Sequence, residues 1–359
     1  MWNYIIIIVI LLALAILYKR FETKHKTSEL YDNFIEKYLL TSKITKSKKP
    51  FLWIHVPYEY NSRKWENFGS RSSTDLNQPY LYLTVKSIIQ KCEKSFTINL
   101  IDDASFSKII PNWNINIKLL STPILQKVRE LAMAKIIYKF GGIIVPISFL
   151  CFKNLDGLYE TGTRNDKMFI CEGVDRNITS SAFDFYPNIN FMGAEKQNGT
   201  MKQLIDFMQQ IISSDNTSQS QFLGDFNRWC NNKINKSHIN LIDGKYIGTK
   251  TMDGEVVIVD NLLGDDYIDF YDKSYGILIP ADDILKRTYY EWFARQSATQ
   301  VLEGGSILSK HILLANAPRI KEQFKEKPNW ISFWKVPSGA PVYGMMPNNL
   351  GDRVSKLKY

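Results

Sequence analysis

The stretch ILQKVRELAMAKIIYKFGGIIVPISFLCFKNL, Ile124 to Leu155, decides how the chain is read. Leu125, Val128, Leu131, Ala132, Lys135, Ile136 and Tyr138 fall mostly at helical spacing, and Leu125, Val128 and Ala132 share one face. Gly141-Gly142 ends the helix, because glycine accepts the left-handed backbone that a C-terminal cap needs. Ile143, Ile144 and Val145 then read as a short buried strand, since β-branched residues suit a pleated surface. Pro146 stops the strand, having no N–H for a ladder. A helix that reverses into a strand this abruptly needs at least one of the two glycines at positive φ.

Upstream, Phe51 to Val56 (FLWIHV) is a buried strand closed by Pro57. A helix follows from Tyr80 to Lys91, opened by Pro79, with Leu83, Ser87 and Ile88 inward. Phe96 to Ile101 (FTINLI) is a second strand and runs into Asp102-Asp103. Strand, helix, strand in this order predicts an α/β fold with a parallel sheet. Acidic residues past a strand's carboxyl end lie where open α/β sheets bind ligands. The same two residues also suit a cap on the helix that Ser105 to Ile110 begins.

Downstream, KMFIC (167–171) and INFM (189–192) are short apolar runs. Thr200 to Ile212 is an amphipathic helix with Leu204, Phe207, Met208 and Ile211 on one face, and Phe222 to Cys230 reads as another helix. Residues 237–282 predict a β-rich extension built from INLI, VVIV and ILIP, and Tyr289 to Phe293 opens a helical C-terminal region. Asp265, Asp266 and Asp269 do not have EF-hand spacing and read as solvated turns.

The order helix, Gly-Gly, buried strand, polar strand end resembles the core of the nucleotide-sugar glycosyltransferases of the A-type (GT-A) fold. Within them it is similar to the DXD-containing sugar transferases and the capsular polysaccharide synthesis proteins. The resemblance implies a mixed, mostly parallel sheet flanked by helices, and transfer of a sugar from a nucleotide-sugar donor to a glycan or protein acceptor. In those families the strand after Gly-Gly ends in Asp-x-Asp, whose carboxylates hold a divalent cation against the donor's diphosphate. Counted from Gly141, the two Asp positions are here Pro146 and Ser148, so the resemblance predicts a lost Mn/Mg site and no metal cofactor. The Asp and Arg that the families carry on the preceding helix fall on Glu130 and Met133; Arg129 lies one turn away from the latter.

The resemblance also names donor-binding candidates. His55, Pro57 and Tyr58 fall where the nucleotide base is held, although His55 equally suits an ordinary core position. Arg63 and Arg71 offer bidentate groups to a diphosphate in a segment that also reads as a solvated loop. Asp102, Asp103, Glu130, Gly142 and Ser148 complete the set. Asp225 is a candidate base on an acceptor-side helix, or an exposed helical Asp. No residue is assigned as catalytic. With the carboxylate pair missing, the competing expectation is an inactive pseudo-transferase used as a structural or binding module.

Residues Tyr4 to Tyr18 (YIIIIVILLALAILY) are unbroken apolar sequence, bracketed by Trp2 and Tyr18. They predict a single membrane anchor at the short end of spanning length rather than a cleaved signal peptide, which would need a basic start and small residues at its end. Lys19, Arg20, Lys24 and Lys26 follow the run, so the positive-inside rule puts the domain on the cytoplasmic face. A membrane-anchored arrangement of this kind also resembles proteins of large DNA viruses.

The expected organisation is an anchor (1–18), a basic stalk (19–50), a glycosyltransferase-like domain (51–315) and a C-terminal tail (316–359). The chain of 359 residues carries a net charge of +9, which suits anionic partners such as lipid head groups or nucleotide phosphates. Apolar residues at 45% are enough to fill a core and exclude a disordered chain. Cys92, Cys151, Cys171 and Cys230 are widely spaced and form no zinc pattern, so they are expected as free buried thiols. No P-loop, G-x-S-x-G or G-x-G-x-x-G occurs, and no nucleic-acid-binding module is present, which argues against a nucleic-acid partner.

Overall fold

The structure, a computed structural model, describes Tyr38 and residues 47–57, 78–121, 123–174, 183–214, 224–286 and 288–317. The apolar run 4–18, most of the segment 19–50, Tyr58, Arg63, Arg71 and the tail from residue 318 lie outside them. Among the described residues no helix is long and apolar enough to cross a membrane.

In chain order the elements are β1 (Phe51–His55), α1 (Tyr80–Cys92), β2 (Thr97–Ile101), α2 (Phe106–Ile109), α3 (Ile124–Phe140), β3 (Gly142–Ile144), β4 (Phe149–Cys151), α4 (Asp156–Gly162), β5 (Met168–Val174) and β6 (Phe185–Ala194). They continue with α5 (Gly199–Ser213), α6 (Asp225–Asn235), β7 (Ile239–Ile242), α7 (Val259–Leu263), β8 (Gly276–Leu278), α8 (Ala281–Lys286), α9 (Glu291–Ala294), α10 (Ala298–Leu302) and α11 (Ile307–Asn316).

Six strands form one sheet in the order β2-β1-β3-β6-β5-β7, with β4 and β8 as a separate antiparallel pair. β1 runs parallel to β2 and β3, and β5 to β7; β6 is antiparallel to both its neighbours. The result is a mixed α/β architecture whose central strands alternate between two helical layers. Leu52 and Ile54 pack with Val85, Ile88 and Ile89 of α1, while Trp53 faces Leu131, Ala132 and Ile136 of α3. A third cluster joins Tyr80 and Leu83 on the outer side of α1 to Leu150, Ile277 and the C-terminal helices.

The Gly-Gly turn behaves as its sequence predicts, and both glycines take part. Gly141 (φ 74°) caps α3, its N–H donating to Ile137 O at 2.7 Å, and Gly142 (φ 105°) is already the first residue of β3. A β-carbon at Gly142 would lie 2.1 Å from Phe51 O, so only glycine lets β3 dock against β1. The buried indole N–H of Trp53 donates to Gly141 O at 3.0 Å, and Val145 N–H continues the pairing to Trp53 O at 3.0 Å.

Several expectations are corrected. α3 is buried almost all round, from Lys127 through Ala134, while Leu125 is only half-buried; neighbours on several sides replace the single apolar face. KMFIC and INFM lie within the longer strands β5 and β6, which pair with each other. Of the helix read from Phe222 to Cys230, Phe222 lies outside the described residues, and the described helix Asp225–Asn235 runs beyond Cys230. Of the β-rich extension, INLI joins the main sheet and ILIP supplies β8, but VVIV (256–259) is no strand. Val256 makes one bridge to Lys250 and Val259 starts α7, with Ile258 N–H held by Asn261 Oδ1 at 3.0 Å. All four cysteines are free and buried.

Candidate functional site

β1 and β3 end side by side, and the chain leaves both ends over a cavity of about 310 Å³. Carboxyl ends of parallel strands are where open α/β sheets hold ligands. His55 and Pro57 border it from β1, and Val145 to Ser148 from the end of β3. Gln126, Arg129, Glu130 and Met133 border it from α3 at spacings of three and four, which puts them on one helical stripe. Asn188 and Asn190 contribute from β6, and Leu278 to Asp283 close the far side from β8 into α8.

The segment after β3 is a pinned turn. Phe149 N–H donates to Pro146 O at 3.0 Å, the Thr84 hydroxyl to Ile147 O at 2.6 Å, and Ile279 N–H to Ser148 O at 3.2 Å. Ser148 is only 7% exposed and borders the cavity. Neither Pro146 nor Ser148 offers a carboxylate, so these positions do not fit the divalent cation of the resembled families. Among the described residues no group of three or more His, Cys, Asp and Glu is placed to hold a metal ion.

One carboxylate organises the other wall. Asp103 accepts two bonds from Arg129, Nε to Oδ1 at 3.0 Å and Nη2 to Oδ2 at 2.7 Å, and meets His55 Nε2 at 2.9 Å. Burial pushes the Asp103 carboxyl up, but the hydrogen bonds and charges of His55 and Arg129 outweigh it and hold the group at about 2. Asp103 stands behind the cavity rather than in its lining, and it borders a second cleft of about 290 Å³ with Ser107, Trp113 and Lys118.

Next to it, the buried Glu130 receives Lys127 Nζ at 3.1 Å and Gln126 Nε2 at 3.2 Å. Lys127, itself 3% exposed, also lies over the Phe226 ring at 4.2 Å.

The structure therefore gathers His55, Pro57, Glu130 and Ser148 around one cavity, with Asp103 directly behind His55. Three candidates stand apart. Asp102 is a cap: its Oδ1 accepts Ser105 N–H at 2.8 Å and the Ser105 hydroxyl at 2.5 Å. Gly142 is a backbone device, lodged against Phe51 O. Asp225 is ion-paired with Arg228 in the first turn of α6. Tyr58, Arg63 and Arg71 lie outside the described residues.

Sequence reasoning missed Gln126, Asn188, Asn190, Asp282 and Asp283, and set Arg129 aside as displaced from the family position. The polar positions 126, 129 and 130 were a usable signal, as polar residues at helical spacing inside an apolar helix need a destination. Asp282-Asp283, one residue after ILIP, resembles the strand-then-acid pattern of Asp102-Asp103.

No family model matches the chain, and no curated protein matches it. Among solved structures it is similar to the PaToxG Glycosyltransferase at 11% identity and a TM-score of 0.30, over 60% of this chain and 80% of that one.

Proposed function

We propose that the chain is a membrane-anchored, glycosyltransferase-like protein whose cavity takes a nucleotide-sugar donor without an Asp-x-Asp metal pair. The observation that carries this reading is the position of the cavity. It lies over the adjoining ends of β1 and β3, beside the α3 stripe, bordered by the two residues that align with the metal-binding Asp positions. His55 and Arg129, both fixed by Asp103, are the basic groups that border it among the described residues, and they suit the anionic part of a donor. The apolar run 4–18 with Lys19 and Arg20 after it supports an anchor with the domain on the cytoplasmic side.

A second reading, an inactive pseudo-transferase acting as a binding or structural module at a membrane, is favoured by a specific observation. Arg129 is committed to Asp103, and Pro146 and Ser148 supply no charge to steady a leaving diphosphate. The two readings part in one experiment on the full-length chain. Thermal shift with UDP- and GDP-sugars, with and without Mn²⁺, is followed by assay of nucleotide release. Donor-dependent stabilisation with release supports a transferase. Stabilisation without release supports the pseudo-transferase. No stabilisation by any donor contradicts both.

A further inference from the structure

The loop after α2, residues 111–121 (PNWNINIKLLS), carries Trp113, Ile115, Leu119 and Leu120. Leu119 is 80% exposed and Ile115 37%, while Trp113 and Leu120 are half-buried against the α3 side of the core. Exposed apolar side chains this close together mark a contact surface more than a solvated turn. Trp113 packs beside Phe106 at 5.8 Å and forms part of the wall of the cleft of about 290 Å³.

The surroundings are cationic. No Asp or Glu occurs between Asp103 and Glu130, and Lys108 and Lys118 are both exposed. Lys135 lies over the Trp113 ring at 5.8 Å, and Lys139 Nζ donates to Ile109 O at 3.1 Å, so α3 adds two lysines to the same side. Asp103, which borders the cleft, is already paired with Arg129 and His55. Apolar tips among lysines complement an anionic bilayer surface, which takes indole and leucine at the head-group level and lysine at the phosphates.

The loop also lies by the edge from which the chain leads to its apolar run. β2 is an edge strand, and its Leu100 N–H donates to Tyr38 O at 2.9 Å. Tyr38 is the described residue nearest the run 4–18. The link from Tyr18 to Tyr38 is about 20 residues and reaches at most about 70 Å, so a bilayer that holds the run is within reach of the loop. Because β1, β2 and β3 run parallel, the loop beyond β2 and the cavity over β1 and β3 lie at the same end of the sheet.

We infer that residues 111–121 are a second membrane contact: Ile115 and Leu119, with Trp113, enter the head-group region of an anionic bilayer, and Lys108 and Lys118 face its phosphates. The contact turns the cavity end of the sheet toward the bilayer. It rests on the anchor proposed above and is independent of the donor reading.

The test uses the full-length chain in lipid nanodiscs. The four native cysteines are buried, so an added cysteine takes an environment-sensitive dye selectively. Asn114→Cys places the dye in the loop. Tyr267→Cys is the control; Tyr267 is 82% exposed and precedes Ile268, which packs in the cluster on the outer side of α1. Retention of the chain by the discs checks the anchor first. With spin-labelled lipid present, the Asn114 dye is expected to be quenched in discs containing phosphatidylserine, and less in phosphatidylcholine alone. The Tyr267 dye is expected to stay unquenched in both. Lys108→Gln/Lys118→Gln and Leu119→Asn are each expected to lower the ratio of docked to free loop about tenfold. Their melting temperatures should equal the parent's, since all three side chains are exposed.

An unquenched Asn114 dye in a disc-bound chain overturns the contact and leaves the anchor and the donor reading standing. Equal quenching at Asn114 and Tyr267, or variants within about twofold of the parent, overturns it as well. Shielding of the Asn114 dye from water without quenching by lipid assigns the loop to a protein partner and also overturns it. A chain that the discs do not retain contradicts the anchor, and the contact with it.

Discussion

Arg129 grips Asp103 through two near-parallel bonds, and the same carboxylate reaches His55 on β1. One side chain in the loop after β2 therefore links α3 and the end of β1, both of which border the cavity. Bidentate, charge-assisted pairs fix orientation as well as distance. Arg129 is 5% exposed, so neutralising Asp103 weakens a pair whose charge is largely out of water.

Asp103→Asn is accordingly expected to destabilise the protein by about 2–4 kcal/mol, because it removes a charged, bidentate partner of a buried guanidinium. Chemical denaturation reads this as a lower midpoint at unchanged slope. A midpoint equal to the parent's would show that the pair does not hold the wall together.

The same pair predicts a pH dependence. Asp103 is held at about 2 against an ordinary 3.8. A carboxyl lowered in the folded state binds its proton less readily there than in the unfolded chain, so its contribution is complete above the unfolded value. It is lost as pH falls from about 4 through about 2. The stability difference between parent and Asp103→Asn should therefore shrink across that window. A difference that grows as pH falls from about 4 to about 2 contradicts the assignment.

Lys127 and Glu130 are a buried pair at 3% and 9% exposure. Removing one partner strands the other, so Lys127→Met is expected to cost about 3–5 kcal/mol. Replacing both, as Lys127→Met/Glu130→Leu, should recover most of the loss, since apolar replacements of buried pairs are often neutral. Measured as a double-mutant cycle, additive single effects would show that the pair is not coupled.

Gly142 and Ser148 separate scaffold from chemistry within one motif. Gly142→Val combines positive φ with a β-carbon 2.1 Å from Phe51 O and is expected to cost about 3 kcal/mol or more. Ser148→Asp puts a carboxylate at a largely buried position that borders the cavity and should cost less than Gly142→Val, because no backbone has to move. Comparing the two melting temperatures checks the order, and a Gly142→Val protein that melts like the parent would undo the alignment of this stretch.

Much of the fold could be read from local pattern. FLWIHV, the 80–91 helix, FTINLI and the Gly-Gly turn are short-range signals: β-branched runs, helical spacing and a turn with one conformational solution. The VVIV run failed because its apolar residues pack as a bridge and a helix start over α11, a contact between segments far apart in sequence. At the site, His55, Pro57, Glu130 and Ser148 were legible because each ends or follows a strand or lies on the stripe before Gly-Gly. Asp102 and Asp103 are adjacent and chemically identical, and only tertiary contact separates the cap from the residue that binds Arg129. Asp282 and Asp283 are distant in sequence from β3 and come to the cavity through the β4–β8 pairing.

The central claim is that this cavity takes a nucleotide-sugar without a strand-end metal pair. Its most direct test is isothermal titration of the best-stabilising UDP- or GDP-sugar into the full-length chain, with and without Mn²⁺, using the parent and Asn190→Trp. Asn190 is exposed and borders the cavity, so tryptophan there fills the space without disturbing the core. The donor should bind the parent with an affinity that Mn²⁺ changes by less than about threefold, under 1 kcal/mol. In Asn190→Trp it should bind at least about tenfold more weakly, 1.4 kcal/mol or more, with the melting temperature unchanged. Binding that requires Mn²⁺, or that Asn190→Trp leaves intact, or that is absent from the parent altogether, would contradict the claim.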